Sequence, residues 1–229
     1  MTESGVGRQQ ASYYGELFSR HGVGVDAVAS GQLEYKRVRY ERLCAVIGDE
    51  SEFSLHDVGF GLGHLHDHVR ARFADRIVHW SGTEVTAEFV EHALSANPDA
   101  SVMLRDLAVA PGEDRYDYVV LAGTFYHLAG AEPEEFDQFL RSLVTNCWTM
   151  CRRGLAFNLV TDAVDYRIDD LYYPDIGGVI DLVRGLTRFF EIDHATPLYE
   201  YTIRMYRPEV LRKQYPGPEF KKYLLPRGS

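Results

Sequence analysis

A strand-like run from Phe53 to Val58, apolar at Phe53, Leu55 and Val58 with an acid at Asp57, that passes straight into Gly59, Gly61 and Gly63 constrains this chain more than any other feature. Glycine accepts backbone angles closed to other residues and carries no Cβ. The chain can therefore turn sharply, and a ligand can lie against bare backbone. After Gly63 the pattern becomes helical, and the first turn of a helix leaves N–H groups without partners inside it. A strand, a glycine turn and a helix start make the first unit of an open α/β sheet, whose ligands lie above the carboxyl ends of the strands. The spacing also selects among such units. Gly63 follows Gly61 by two residues rather than three, which departs from the Gly-x-Gly-x-x-Gly loop of dinucleotide-binding chains.

Three further strand patterns follow, and each ends in polar groups. Ile77 to Glu84 ends in an acid beside the glycine loop, placed to accept the two hydroxyls of a ribose. Ser101 to Leu107 carries Asp106 near its end, suited to an adenine amino group. Tyr116 to Leu121 leads into Ala122-Gly123-Thr124-Phe125-Tyr126-His127.

Taken together, Asp57-Val58-Gly59-Phe60-Gly61-Leu62-Gly63, Gly82-Thr83-Glu84-Val85-Thr86, Arg105-Asp106-Leu107 and Tyr116-Asp117-Tyr118-Val119-Val120 resemble the motifs of the class I S-adenosylmethionine-dependent methyltransferases. The resemblance spans roughly residues 50–207. It departs from the usual pattern at Phe60, where a small residue is common, and at Glu84, where aspartate is. It implies a Rossmann-like α/β fold: a seven-stranded, mostly parallel sheet with an antiparallel last strand and an N-terminal helical cover. It also implies S-adenosylmethionine as cofactor. On that reading Gly59, Gly61 and Gly63 line the methionine portion and ribose, and Asp57 orients the loop or the cofactor's amino group. Glu84 takes the ribose hydroxyls, Asp106 and Leu107 the adenine, and Gly123 and Thr124 offer backbone near the sulfonium.

Organisation along the chain follows from periodicity. Residues 9–21 read as a helix, and Asp26 to Val46 as a second with Tyr35, Val38, Leu43 and Val46 inward and Lys36, Arg37 and Arg42 in water. Residues 1–48 then form the helical cover, 49–222 the cofactor-binding domain, and 224–229 a tag remnant. Glu134 to Arg152 reads as a long helix and Leu155 to Val160 as a fifth strand. A tyrosine-rich insertion from Asp162 to Pro174, a helix from Ile176 to Leu186 and an antiparallel hairpin from Phe189 to Arg207 follow. The net charge of −10 argues against a nucleic-acid substrate, since phosphate contacts need clustered Lys and Arg. No apolar run approaches the ~20 residues of a membrane span. A cytoplasmic monomer or homodimer acting on a small molecule is expected.

Catalytic candidates are fewer. Arg39 is suited to the cofactor's carboxylate, which a guanidinium binds bidentately, with Tyr35 on the adjoining turn. His127 stands where an acceptor must sit and has a pKa suited to a general base. Asn158, Tyr166, Tyr172 and Tyr173 form a second constellation, whose rings can face a cationic sulfonium. This region, with Tyr199-Glu200-Tyr201, is similar to a bacterial subgroup of small methyltransferase-like proteins. His64, His66 and His68 with Asp67 are read as a solvated helix face rather than a metal site. The leading expectation is O- or N-methylation of a small metabolite. An alternative uses the cofactor as substrate: its α-amine attacks its own γ-carbon, releasing methylthioadenosine and azetidine-2-carboxylate, as in synthases whose size and Asn158–tyrosine region this chain resembles. A third is a non-catalytic, cofactor-binding accessory protein.

Overall fold

The sheet carries the order β3-β2-β1-β4-β5-β7-β6 in the computed structural model, which describes residues 3–24, 26–28, 32–97 and 101–224. Its strands are β1 (Glu52–Val58), β2 (Ile77–Glu84), β3 (Ser101–Leu104), β4 (Tyr116–Leu121), β5 (Cys151–Val160), β6 (Phe190–Asp193) and β7 (Glu200–Tyr206). The first five pair in parallel, and β7 runs antiparallel between β5 and β6. The helices are α1 (Gly5–His21), α2 (Leu33–Cys44), α3 (His64–Arg72), α4 (Ala87–Ala96), α5 (Pro133–Met150), α6 (Ile176–Leu186) and α7 (Pro208–Gln214). Short 3-10 turns cover Asp26–Val28 and Pro218–Tyr223. The seven-stranded, mostly parallel sheet with an antiparallel final strand matches the expectation.

Strands covered on both faces need apolar side chains at every position rather than at alternate ones. Strand β4 shows the result. Val119 and Leu121 pack toward α5 and α6, with Phe136, Leu140 and Val183, whereas Tyr118 and Val120 pack toward α2 and α3, with Leu43 and Val69. Helix α5 opens with Pro133, Glu134 and Glu135, whose fixed φ and negative charges favour a helix N-terminus. It buries Phe136, Phe139, Leu140, Leu143, Val144 and Cys147 along one side. The strand order reverses between β1 and β4, so the loops after these strands diverge and leave a crevice at their carboxyl ends. Both the glycine loop and the Gly123 loop lie there.

Several boundaries differ from the sequence reading. The span from Asp26 to Val46 is not one helix: a 3-10 turn ends at Val28, α2 starts at Leu33, and residues 29–31 lie outside the described residues. The face of α2 is also turned. Lys36, Arg39, Tyr40, Leu43 and Cys44 are buried, while Tyr35 is 46% exposed. The i, i+3, i+4, i+7 spacing is kept, but its first turn covers a polar crevice rather than the apolar core, so charged residues face inward. Strand β5 begins at Cys151, directly out of α5, and helix α7 after the sheet was not foreseen. Leu224, assigned to a tag remnant, is buried and its carbonyl accepts from Arg212 Nη2 at 2.9 Å; residues 225–229 lie outside the described residues.

Candidate cofactor and acceptor site

Gly59, Gly61 and Gly63 have φ of 81°, 54° and 81°, in the left-handed region that L side chains rarely enter. A Cβ on Gly59 would stand 3.1 Å from Thr124 Oγ1, and one on Gly63 2.8 Å from Asn97 Nδ2. The loop is pinned from β2. Gly59 and Phe60 donate to the Thr83 carbonyl, and Gly61 donates to Glu84 Oε2 at 2.9 Å. From the other side Thr124 Oγ1 donates to the Val58 carbonyl at 2.9 Å.

Glu84 sits on the wall of a cavity of about 720 Å³ above the strand ends. Its Oε1 accepts from the amides of Val85 and Thr86, so three backbone N–H groups hold the carboxylate in one orientation. Burial pushes its pKa up, and those amides pull the other way. Oε1 has both lone pairs engaged by amides, whereas Oε2 accepts only one N–H and keeps a lone pair for a ligand hydroxyl. Leu107 and Phe89 supply apolar walls, with Tyr14 of α1 and Val28 above. Asp106 also borders this cavity, with Oδ2 fully engaged and one lone pair left on Oδ1. Oδ2 accepts from Ser4 N and Oγ at 2.9 and 2.7 Å, and Oδ1 from Ala108 N at 2.8 Å. Through Oδ2 Asp106 also anchors the start of α1, whose N-cap is Ser4.

A second cavity of about 500 Å³ shares Gly59, Gly61, Ala122, Gly123, Tyr14 and Val28 with the first, so the two form one cleft. Asp57 lines it, almost wholly buried, and its Oδ1 has no hydrogen-bond partner. Burial raises the Asp57 pKa well above the ordinary carboxylate value, and nearby Glu84 adds to the shift. Glu84 and Thr83, rather than Asp57, orient the glycine loop, which corrects one of the two roles expected of Asp57. Opposite it lies Lys36, buried, with Nζ donating to His64 Nδ1 at 2.8 Å. Burial, assisted by Arg39, lowers the Lys36 pKa to about 8.

Arg39 is less available than its sequence context implied. Its Nε and Nη2 donate to Glu200 at 3.0 and 2.6 Å, and its guanidinium lies 4.7 Å from the Tyr126 ring centre. Nη1 is the edge nearest Gly123. Tyr35, expected beside it, is outside the cleft, so Lys36 takes the place assigned to Tyr35.

Asn158 is fully buried beneath the site rather than in it. Its Oδ1 accepts the Gly123 N–H at 2.8 Å, and its Nδ2 donates to the Tyr126 hydroxyl and, at 3.1 Å, to Glu200. The Gly123 N–H is thereby spent, and what this loop presents to the cleft is the αL turn at Gly123 (φ 73°). The tyrosines expected to enclose a sulfonium are elsewhere. Tyr172 packs on Phe136 and donates to Asp137. The Tyr173 hydroxyl accepts from Ile168 N at 2.9 Å, and Tyr166 is 64% exposed against Tyr199. These corrections remove the aromatic box on which the cyclisation reading leaned. The tyrosines at the cleft are Tyr14, Tyr40 and Tyr126 instead.

His127 does reach the cleft. Its Nδ1 lies 2.7 Å from Asp170 Oδ2 and 3.4 Å from the Tyr13 hydroxyl, and the Tyr13 ring stacks on it at 5.4 Å. His64 is tied to Lys36, and His66 packs against Trp80. Among the described residues no group of His, Cys, Asp or Glu is arranged to hold a metal ion. Lys36, Glu200 and Asp170 were given no site role from sequence, and Lys36 was placed in water. Glu200 lies 161 positions from the arginine it pairs with, a distance over which no local pattern carries a signal.

Comparison with known proteins follows the same lines. No protein-family model matches the chain. A Mycobacterium tuberculosis protein named "Putative methyltransferase Rv1506c" is 29% identical over 167 residues, covering 69% of this chain and 95% of that one. The structure of a Synechocystis magnesium protoporphyrin IX methyltransferase with bound S-adenosylmethionine superposes with a TM-score of 0.61 at 15% identity, over 90% of this chain and 99% of that one. A Burkholderia thailandensis 1,6-didemethyltoxoflavin N1-methyltransferase, bound to its substrate and S-adenosylhomocysteine, gives 0.58 at 15%, over 90% and 92%. The fold is that of the class I methyltransferases.

Proposed function

We propose that the chain is an S-adenosylmethionine-dependent methyltransferase acting on a small molecule. One observation carries the reading: the orphaned Oδ1 of Asp57 in a cavity that also holds Lys36 and Arg39 and opens into the one walled by Glu84. An α-amino acid presents an ammonium and a carboxylate together, and this half-cleft presents a buried carboxyl opposite two cations. A ribose presents two adjacent hydroxyls, and Glu84 holds its carboxylate where the halves meet. The residues present therefore fit S-adenosylmethionine. Asp57 takes the ammonium, Lys36 and the Nη1 edge of Arg39 the carboxylate, Glu84 the ribose, and Leu107 and Phe89 the adenine ring.

Bound there, the cofactor supplies a methyl group on a positively charged sulfur. The remaining work belongs to the chain, and most of it is positioning, which in-line displacement rewards strongly. Helix α1, through Gln10 and Tyr14, and the turn Asp26–Val28, through Val28, line the cleft on the side away from the strand ends. Small-molecule acceptors are named for the superposed proteins, a porphyrin and a toxoflavin precursor.

Calorimetric titration with S-adenosylmethionine and S-adenosylhomocysteine tests the cofactor assignment, and product analysis tests the reaction. S-adenosylhomocysteine forming only when an acceptor is supplied supports methyl transfer. Methylthioadenosine forming from S-adenosylmethionine alone would replace it with cyclisation, and absence of binding would end both.

A further inference from the structure

His127 is one end of a small constellation that the cofactor does not explain. The segment Asp169–Tyr172 crosses over the loop after β4 and is stitched to it by backbone. Leu128 N donates to Asp170 O at 2.8 Å, Tyr172 N donates to Tyr126 O at 2.7 Å, and His127 and Leu171 form a β-bridge. The same crossing brings the Asp170 carboxylate under the imidazole: Oδ2 meets His127 Nδ1 at 2.7 Å, and Oδ1 accepts from Ala129 N at 3.2 Å. Ala129 has φ of 54°, unusual for a residue with a Cβ. A non-glycine residue is strained there, and such strain persists where its surroundings over-determine it. Here the loop is bent back onto Asp170, and the imidazole is carried with it.

A carboxylate at Nδ1 keeps the proton on that nitrogen and leaves Nε2 as the basic one. Among the described residues no hydrogen-bond partner meets Nε2. The ring lines the cavity that also contains Gly59 and Gly123. We propose that Asp170 is a positioning residue that fixes His127 as the general base, and that the acceptor carries an acidic O–H of the phenol or enol kind. The inference rests on the methyl-transfer reading above.

The chemistry balances without another reagent. The acceptor's proton goes to Nε2, its oxygen lone pair forms the bond to the methyl carbon, and the C–S electron pair returns to sulfur. The imidazolium, paired with Asp170, then releases its proton to water. An imidazole matches the acidity of phenols and enols, whereas an alkyl alcohol is far too weak an acid for it. Aromatic walls at Tyr14 and Tyr126 suit a planar acceptor. The other groups facing the ring do not compete for its proton. Tyr13 and Tyr14 of α1 have hydroxyl pKa values raised by burial, Arg39 across the cleft is answered by Glu200, and Lys36 stands beside it.

The first measurement is nitrogen-15 NMR of the His127 ring in the protein saturated with S-adenosylhomocysteine. The expected spectrum shows the Nδ1–H tautomer. Asp170→Asn is expected to mix the tautomers, with nucleoside affinity unchanged within twofold. The second uses a series of substituted phenols as probe acceptors at pH 8. Asp170→Asn is expected to slow the least acidic phenols tenfold or more and to spare 4-nitrophenol, which is already ionised. His127→Gln is expected to follow the same trend. An Nε2–H tautomer in the unaltered protein, or equal slowing across the series, overturns the positioning role. Methylation of amines with no phenol accepted, or of none of the probes, overturns the acceptor class. Failure of S-adenosylhomocysteine to bind at all strikes the methyltransferase reading instead, so the two failures are distinguishable.

Discussion

Replacing Glu200 with leucine strands the Arg39 guanidinium inside the protein. The Arg39 side chain is 8% exposed and its partner 15%, so little solvent is at hand to replace the lost carboxylate. Removing one member of a buried pair costs about 3–5 kcal/mol, because the surviving charge stays desolvated. Two unit charges about 4 Å apart at an effective dielectric of about 20 attract by about 4 kcal/mol, a figure of the same size. Since Nη1 of Arg39 borders the cleft, the lower end applies, about 3 kcal/mol. For a chain of this length each kcal/mol moves the melting midpoint by about 2–4 °C, so Glu200→Leu is expected to melt about 6–12 °C lower. Urea denaturation of Glu200→Leu, Arg39→Met and the double variant makes a thermodynamic cycle. The double variant is expected to recover at least 2 kcal/mol relative to the sum of the singles. Asn158 also donates to Glu200 while holding the Gly123 amide, so the single variant is expected to weaken nucleoside binding as well. A loss below 1 kcal/mol, or strictly additive singles, would refute the view that this pair is buried and coupled.

Gly59→Ala forces a Cβ into the left-handed region and against Thr124; about 1–2 kcal/mol of stability and at least a tenfold loss of S-adenosylmethionine affinity are expected by denaturation and calorimetry. Asp57 holds its proton to higher pH when folded than when unfolded, so its contribution to stability is present at low pH and declines as pH rises above 3.8. Asp57→Asn mimics the protonated form. It is expected to raise the melting midpoint of the free protein at pH 8 while weakening cofactor binding, and a variant that melts lower with unchanged affinity would contradict both roles. Lys36 has the opposite linkage. Its folded pKa of about 8 lies below the ordinary 10.5, so the penalty of burying its charge is relieved, and stability rises, between those pH values. Lys36→Met is expected to flatten that rise. A bound carboxylate holds Lys36 protonated, so titration with S-adenosylmethionine at pH 9 is expected to take up a proton, read from buffers of different ionisation enthalpy.

The main lines of the fold were legible because they depend on local rules. A strand buried on both faces carries few polar side chains, and Val119, Val120 and Leu121 marked β4 that way, whereas β1 and β2, with His56, Asp57, Ser81 and Thr83, were marked by the glycine loop and the terminal acid. The glycine spacing at 59, 61 and 63 dictates three left-handed residues in five, which no other sequence would supply cheaply. Glu84 was legible for the same reason, being the last residue of a strand whose neighbour carries the loop.

Side chains whose role depends on what lies opposite were a different matter. Asp106 reads as a ligand for adenine alone, yet Ser4, 102 positions away, takes one of its two oxygens. Tyr172 and Tyr173 have the look of a lid, but the path of the insertion sends one into the α5 packing and the other onto its own loop. Lys36 reads as a solvated lysine until the helix phase turns it over the cleft. Hydrophobic period and backbone sterics act within a few residues and are written in the local sequence, whereas charge pairing and burial depend on which distant segment the fold delivers to the same few ångströms. The succession of strands and helices and the glycine cradle belong to the sequence; the order of the strands and the partners of Arg39, Asp106 and His127 belong to the tertiary structure.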